Sequence, residues 1–138
     1  MTRELIFFPV LVQVALTLLV YVALIRRKIA AIRAGAVDKA RLALHDDAWP
    51  ADVMQVNNNI RNQFELPVLF YVLCLALWAL DAVGALALAV AALFVLSRIV
   101  HAWIHLRSNH VPARRKAFTA GWFLLAAMLL LVAWELVK

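Results

Sequence analysis

Apolar residues fill most of this chain, and polar ones interrupt them in a few places. Leu5 to Ile25 carries no charged side chain and holds only Gln13 and Thr17 as exceptions. About Gln63 to Leu80, Ala82 to about Ile104, and Ala117 to Trp134 repeat the pattern. A helix of about 20 apolar residues crosses a hydrocarbon core of roughly 30 Å. The pattern therefore predicts an all-α, integral membrane four-helix bundle, a single transmembrane domain over residues 1–138 with spans at about 5–25, 63–80, 82–104 and 117–134. The first run is too long for a signal peptide and lacks its small-residue cleavage site, so it reads as a true span.

Breakers and helix formers refine the boundaries. The first helix should run from about Arg3 past Ile25 through RRKIAAIR, since no breaker precedes Gly35. Gly35 to Trp49 is the one sizeable loop, and Pro50 suits the first turn of a second helix, with Asp46 and Asp47 before its positive end. Pro67 predicts a kink just above Glu65, because it removes the bond to the carbonyl of Gln63. Asp81 to Gly84 is so short that the second and third spans must be antiparallel neighbours. Pro112 is expected to break the third helix.

One stretch departs from the apolar pattern. Asn57 to Pro67 reads NNNIRNQFELP, and Asn58, Asn62 and Glu65 fall at i, i+4 and i+7, one face of a helix. The apolar run after it, Leu66 to Leu80, amounts to only about 22 Å of helix, so the span must begin earlier and draw Glu65 and Asn62 below the lipid surface. Counting outward from the tight turn, residues whose numbers sum to about 165 lie at equal depth, by equal helical rise. Glu65 then faces the level of Val100, bracketed by Arg98 and His101. Arg98, His101 and His105 fall at i, i+3 and i+7. Two polar faces meet at one depth, where ionisable groups are costly and mark a functional site by default.

Composition agrees with the membrane reading: 67% of the 138 residues are hydrophobic, and mean hydropathy is +0.89. The net charge of +6 matters through its placement. Seven cations from Arg26 to Arg61 lie between the first two spans, and Arg107, Arg114, Arg115 and Lys116 between the last two, while the tight turn has none. The positive-inside rule puts both basic loops in the cytoplasm. Many of these cations serve anionic lipid head groups, and no soluble basic domain exists to bind nucleic acid. The single cysteine, Cys74, excludes an intrachain disulfide and reads as a small buried hydrophobe.

One carboxylate, several cations and paired amides suit a zwitterionic, peptide-like ligand: arginines for its carboxylates, Glu65 for its amine, asparagines for its amide bonds. A thiol on such a ligand would be activated by a nearby arginine, which stabilises the thiolate. The plain alternative is a Glu65–Arg98 salt bridge that holds two helices in register. His101 and His105 at i and i+4 with Glu65 form a weak zinc pattern, but such histidines are more often satisfied by helix neighbours, and no metal is assigned.

R-N-Q-F-E at Arg61 to Glu65, R-x-x-H-x-x-x-H at Arg98 to His105 and A-R-R at Ala113 to Arg115 together resemble the MAPEG family, the membrane-associated proteins in eicosanoid and glutathione metabolism. The resemblance extends over most of the chain and is to a bacterial-type member. It implies a homotrimer in a bacterial inner membrane, with glutathione as co-substrate between neighbouring subunits and a lipophilic small molecule entering from the lipid. By position, Asn62, Glu65 and Arg98 would contact glutathione, with Arg27 or Arg26 from a neighbouring first helix. His101 stands where the family has tyrosine or histidine. Arg114, or else Arg115, falls at the thiol-activating arginine. Asn58 replaces a family arginine and removes a carboxylate clamp, and His105 replaces a tyrosine, turning a hydroxyl donor into an imidazole. The expected function is a glutathione-dependent transferase or peroxidase. The alternative is a non-enzymatic trimer whose polar layer serves assembly or binds a lipid head group.

Overall fold

A computed structural model describes residues 2–138, and every regular element among them is helical. A 3-10 turn at Arg3–Ile6 leads into α1, Phe7–Arg33. A loop holding a 3-10 turn at Asp46–Ala48 follows, then α2 at Ala51–Gln63, α3 at Leu66–Ala79, α4 at Ala85–Leu106 and α5 at Val111–Val137. Four helical segments are long and apolar enough to cross a membrane, α2 and α3 together making the second. The chain is an integral membrane protein. Both basic links lie at one end of the bundle, and the tight turn lies at the other.

The helix starts and stops follow local chemistry. Pro50 caps α2 in extended conformation, and Gly35 takes a φ of 66° just after α1 ends. The tight turn closes through Asp81 at φ 55° and a bond from Ala82 N–H to the Leu77 carbonyl. α4 accordingly begins three residues later than the expected 82. Pro112 does not end the third helix, because α4 has already stopped at Leu106 and Pro112 sits in the first turn of α5, where its missing N–H costs nothing.

The second span holds the larger surprise. Pro67 was expected to kink a continuous helix, but the helix is interrupted at Phe64 and Glu65, whose φ/ψ of −106°/13° and −99°/−103° leave the α-helical region. The proline ring clashes with the turn before it, so α2 ends at Gln63 and Pro67 sits in the first turn of α3. The break also ends the shared face expected of Asn58, Asn62 and Glu65. Asn58 and Asn62 stay stacked, with Asn62 Nδ2 donating to the Asn58 carbonyl at 3.0 Å, while Glu65 turns outward and is exposed.

Packing divides the interior in two. Val20, Leu24 and Ala31 of α1 meet Val53, Val56 and Ile60 of α2 near the basic end. Leu66, Phe70, Cys74 and Leu77 of α3 meet Ala87, Ala91, Phe94 and Val95 of α4 and Leu125, Met128 and Val132 of α5. Phe70 and Phe94 stack with centroids 4.5 Å apart, and their numbers sum to 164, as the equal-depth count requires. Cys74 is fully buried among apolar neighbours. Gly121 lets α5 approach α4 closely: a Cβ there would stand 2.9 Å from Ser97 Oγ. Large side chains such as Leu11, Leu19, Phe123 and Leu130 face outward, as lipid contact demands.

Candidate functional site

The buried stripe of α4 reads Ala91, Phe94, Val95, Arg98, His101, Ala102 and His105, the spacing of a core-facing helix. Three of its members near the basic end are therefore polar residues in core positions. Arg98 is completely buried. One of its nitrogens, Nη2, reaches the Asn62 carbonyl at 3.4 Å and His101 Nδ1 at 3.2 Å. A guanidinium has donors only, so His101 Nδ1 accepts, and this ring carries its proton on Nε2. Phe118 of α5 lies under the guanidinium at 5.6 Å. Among the described residues, Arg98 Nε and Nη1 have no partner, nor does Nδ1 of the buried His105.

The anticipated Glu65–Arg98 salt bridge does not form: among the described residues no carboxylate lies within ion-pair distance of Arg98. The helix break explains this, since it swings Glu65 to the surface. Arg98 is thus a desolvated cation with two idle donors, an arrangement that is costly unless an anion compensates it.

Over this layer opens a cleft of about 240 Å³, lined by Asn62 of α2, His101 of α4, and Val111, Arg114, Arg115 and Phe118 of α5. Arg114 is half-buried, and its Nη1 donates to Asn109 Oδ1 at 2.7 Å. Arg115 is exposed at the rim. An apolar groove of about 270 Å³ runs along Leu66, Leu69 and Val72 of α3 and Trp122, Leu125 and Leu129 of α5. Phe118 and Trp122, one turn apart, link the two.

The structure therefore gathers Asn62, Arg98, His101 and Arg114, with His105 directly beneath: its ring centroid is 5.7 Å from that of His101. It does not gather three others. Asn58 is exposed beside Asn62, and Glu65 lies at the break. Arg27 donates to the carbonyls of Asp52 at 2.7 Å and Leu106 at 2.9 Å, tying α1 to the start of α2 and the end of α4. Among the described residues no three His, Cys, Asp or Glu side chains converge as metal ligands, so the two histidines lack a third donor.

Sequence reasoning missed a second buried polar feature. Gln13 Nε2 donates to Gln63 Oε1 at 2.9 Å, and Gln63 Nε2 to Asn59 Oδ1 at 3.0 Å, an amide chain joining α1 to the last turn of α2. Gln55 donates to the His105 carbonyl and steadies the end of α4. Asn59 and Gln63 continue the buried series Val53, Val56 and Ile60, and that continuity was the available signal.

The MAPEG family model matches residues 6–134. The chain belongs to the MAPEG family. No curated protein and no solved structure matches it significantly. The match includes every residue of the MAPEG cleft, from Asn62 to Phe118.

Proposed function

We propose that this MAPEG protein is a glutathione-dependent transferase or peroxidase acting on a lipophilic electrophile. The observation that carries the reading is Arg98, a fully buried guanidinium with two idle donors that sits behind Asn62 and His101 of the cleft wall. A small anionic peptide answers that need. Glutathione supplies two carboxylates, an amine and a thiol, the thiol acting as nucleophile or reductant when bound.

The residues divide the work. Arg98 and the rim cation Arg115 bind carboxylates, the first in a site where water does not compete. Asn62 offers an amide, and Glu65, free of any internal ion pair, is available to an ammonium. Arg114 places positive charge beside the sulfur and raises its thiolate fraction at neutral pH. His101 Nε2–H is a further donor. The apolar groove between α3 and α5 would seat the lipophilic partner, which reaches it from the bilayer.

Assembly belongs to the same proposal. In a homotrimer with both basic loops in the cytoplasm, a neighbour's exposed Arg26 would complete the site, since Arg27 is held within its own chain. The exposure of Glu65 also favours a second reading, in which this carboxylate joins neighbouring copies and the polar layer serves assembly. Calorimetry and size analysis of the detergent-purified Glu65→Gln variant separate the two: lost glutathione binding with an intact oligomer supports the enzyme, and dissociation supports assembly. Wild-type protein that fails to bind millimolar glutathione, or shows no ultraviolet thiolate band sensitive to Arg114→Ala, would overturn the first reading.

A further inference from the structure

Arg114 is not left to find its own position. The link between α4 and α5 is only Arg107 to His110, and Asn109 stands in it at φ 49°, in the left-handed region that asparagine tolerates better than other side chains. Its N–H bonds the Ile104 carbonyl at 2.8 Å, closing the end of α4. Its side-chain oxygen takes Nη1 of Arg114 at 2.7 Å. Next to it, His110 Nδ1 accepts the Ala113 N–H at 3.4 Å and caps α5, so the first turn of that helix is fixed from both sides. One residue thus sets the end of one helix and the direction of a cation on the next.

We infer that Asn109 is a positioning residue that aims the Arg114 guanidinium into the cleft while leaving its charge unspent. The choice of amide is the chemical point. A carboxylate at this position would hold the guanidinium equally well but would pair with it and cancel the field offered to a ligand. An amide oxygen fixes one edge of the planar fork and leaves the remaining donors and the full positive charge free. The other charged or titratable groups at or next to the cleft are Arg98, His101 and His105 from α4 and His110, Arg115 and Lys116 at the start of α5, with Glu65 at the break between α2 and α3 outside the lining. Arg98 also meets a neutral side chain, His101, but Arg114 is the cleft-lining cation that an amide oxygen holds. The inference rests on the glutathione reading for the ligand, but the Asn109–Arg114 contact stands apart from it.

Asn109→Gly tests this cleanly, because glycine adopts the same positive φ and only the side chain is lost. In full-length protein labelled with nitrogen-15 arginine and held in nanodiscs, Arg114 should show separate, slowly exchanging guanidinium signals, assigned by their loss in Arg114→Lys. Asn109→Gly should average them, and unchanged signals would overturn the proposal whatever the ligand. The second arm titrates the ultraviolet thiolate band of bound glutathione against pH. Asn109→Gly and Asn109→Asp should each lower the thiolate fraction about tenfold at a pH below the midpoint, a shift of about one unit, with glutathione affinity little changed. A titration that superimposes on wild type would overturn the positioning role. Failure of all proteins, wild type included, to bind glutathione would remove the glutathione reading, and the nitrogen-15 spectra would still decide the role of Asn109.

Discussion

Two buried polar layers cross this bundle, one neutral and one charged. Gln13, Gln63 and Asn59 are neutral amides, each both donor and acceptor, and they bond one another along a chain from α1 to α2 that leaves only its two ends, Gln13 Oε1 and Asn59 Nδ2, without a partner. Arg98, His101 and His105 form the other layer, which is rich in donors. Its one internal bond, from Arg98 to His101, leaves two guanidinium nitrogens idle. Amide chains of the first kind hold helices together in membranes. A buried cation with no carboxylate partner and two idle donors is a poor joint of that kind. The idle atoms of the first layer are neutral and those of the second carry charge, and on the proposed function it is the charged layer that takes a ligand.

Replacing Arg98 with methionine should produce the largest effect and the sharpest break in that contrast. Glutathione affinity should fall roughly a hundredfold, equivalent to about 3 kcal/mol for two charge-assisted bonds. The thermal midpoint should hold or rise, since an unpaired buried charge is removed. Calorimetry and a melting curve on the same sample read both. Gln63→Leu should do the reverse, costing about 2 kcal/mol of stability by orphaning Gln13 and Asn59 while affinity changes little. Replacing all three amides with leucine should recover much of that loss, because no polar group is then left unmatched.

Gly121→Val should cost about 1–2 kcal/mol by pushing α5 away from Ser97, with Gly121→Ala milder because the Ser97 hydroxyl can rotate. The glycine's missing Cβ also lies 3.7 Å from Arg98 Cδ, so glutathione affinity should fall along with the melting temperature. The smallest effect belongs to the loop. Arg41 hydrogen-bonds the exposed Asp47 carboxylate at 2.7 Å and holds its pKa below 3.8, the charges of Arg41 and His45 adding to this. Whatever order that pair brings is present above about pH 3.8 and is lost as the pH falls through the lowered value. Hydrogen exchange in residues 38–48 should therefore rise only in strong acid, with melting at neutral pH unchanged by Asp47→Asn.

The apolar runs made most of the fold legible. Their lengths located four spans, Gly35 and Pro50 marked helix ends, and the Phe70–Phe94 stack agrees with the equal-depth count. Arg98 and His101 could be placed on one face from spacing alone, because both lie within one uninterrupted helix. Glu65 could not, because its direction depends on whether Pro67 bends or severs the preceding turn, and that is decided by what packs around it. Arg27 read as a lipid-facing cation or, by the family resemblance, as a neighbour's contact to glutathione, and only tertiary structure showed its two carbonyl partners. The Asn109–Arg114 contact depended on a positive φ that asparagine allows but does not announce.

The break between α2 and α3 also bears on how the chain enters the membrane. α3 alone has 14 residues, about 21 Å of helix, and the second segment is the least hydropathic of the four. During synthesis it emerges before α4 and α5 exist, so its core contacts on those helices are not yet available. The tight turn at Asp81 follows at once, which favours delivery of α3 and α4 to the bilayer as one hairpin. Gln63 and Asn59 would then find α1 already in place, and the Gln13 amide would be the first partner waiting for them.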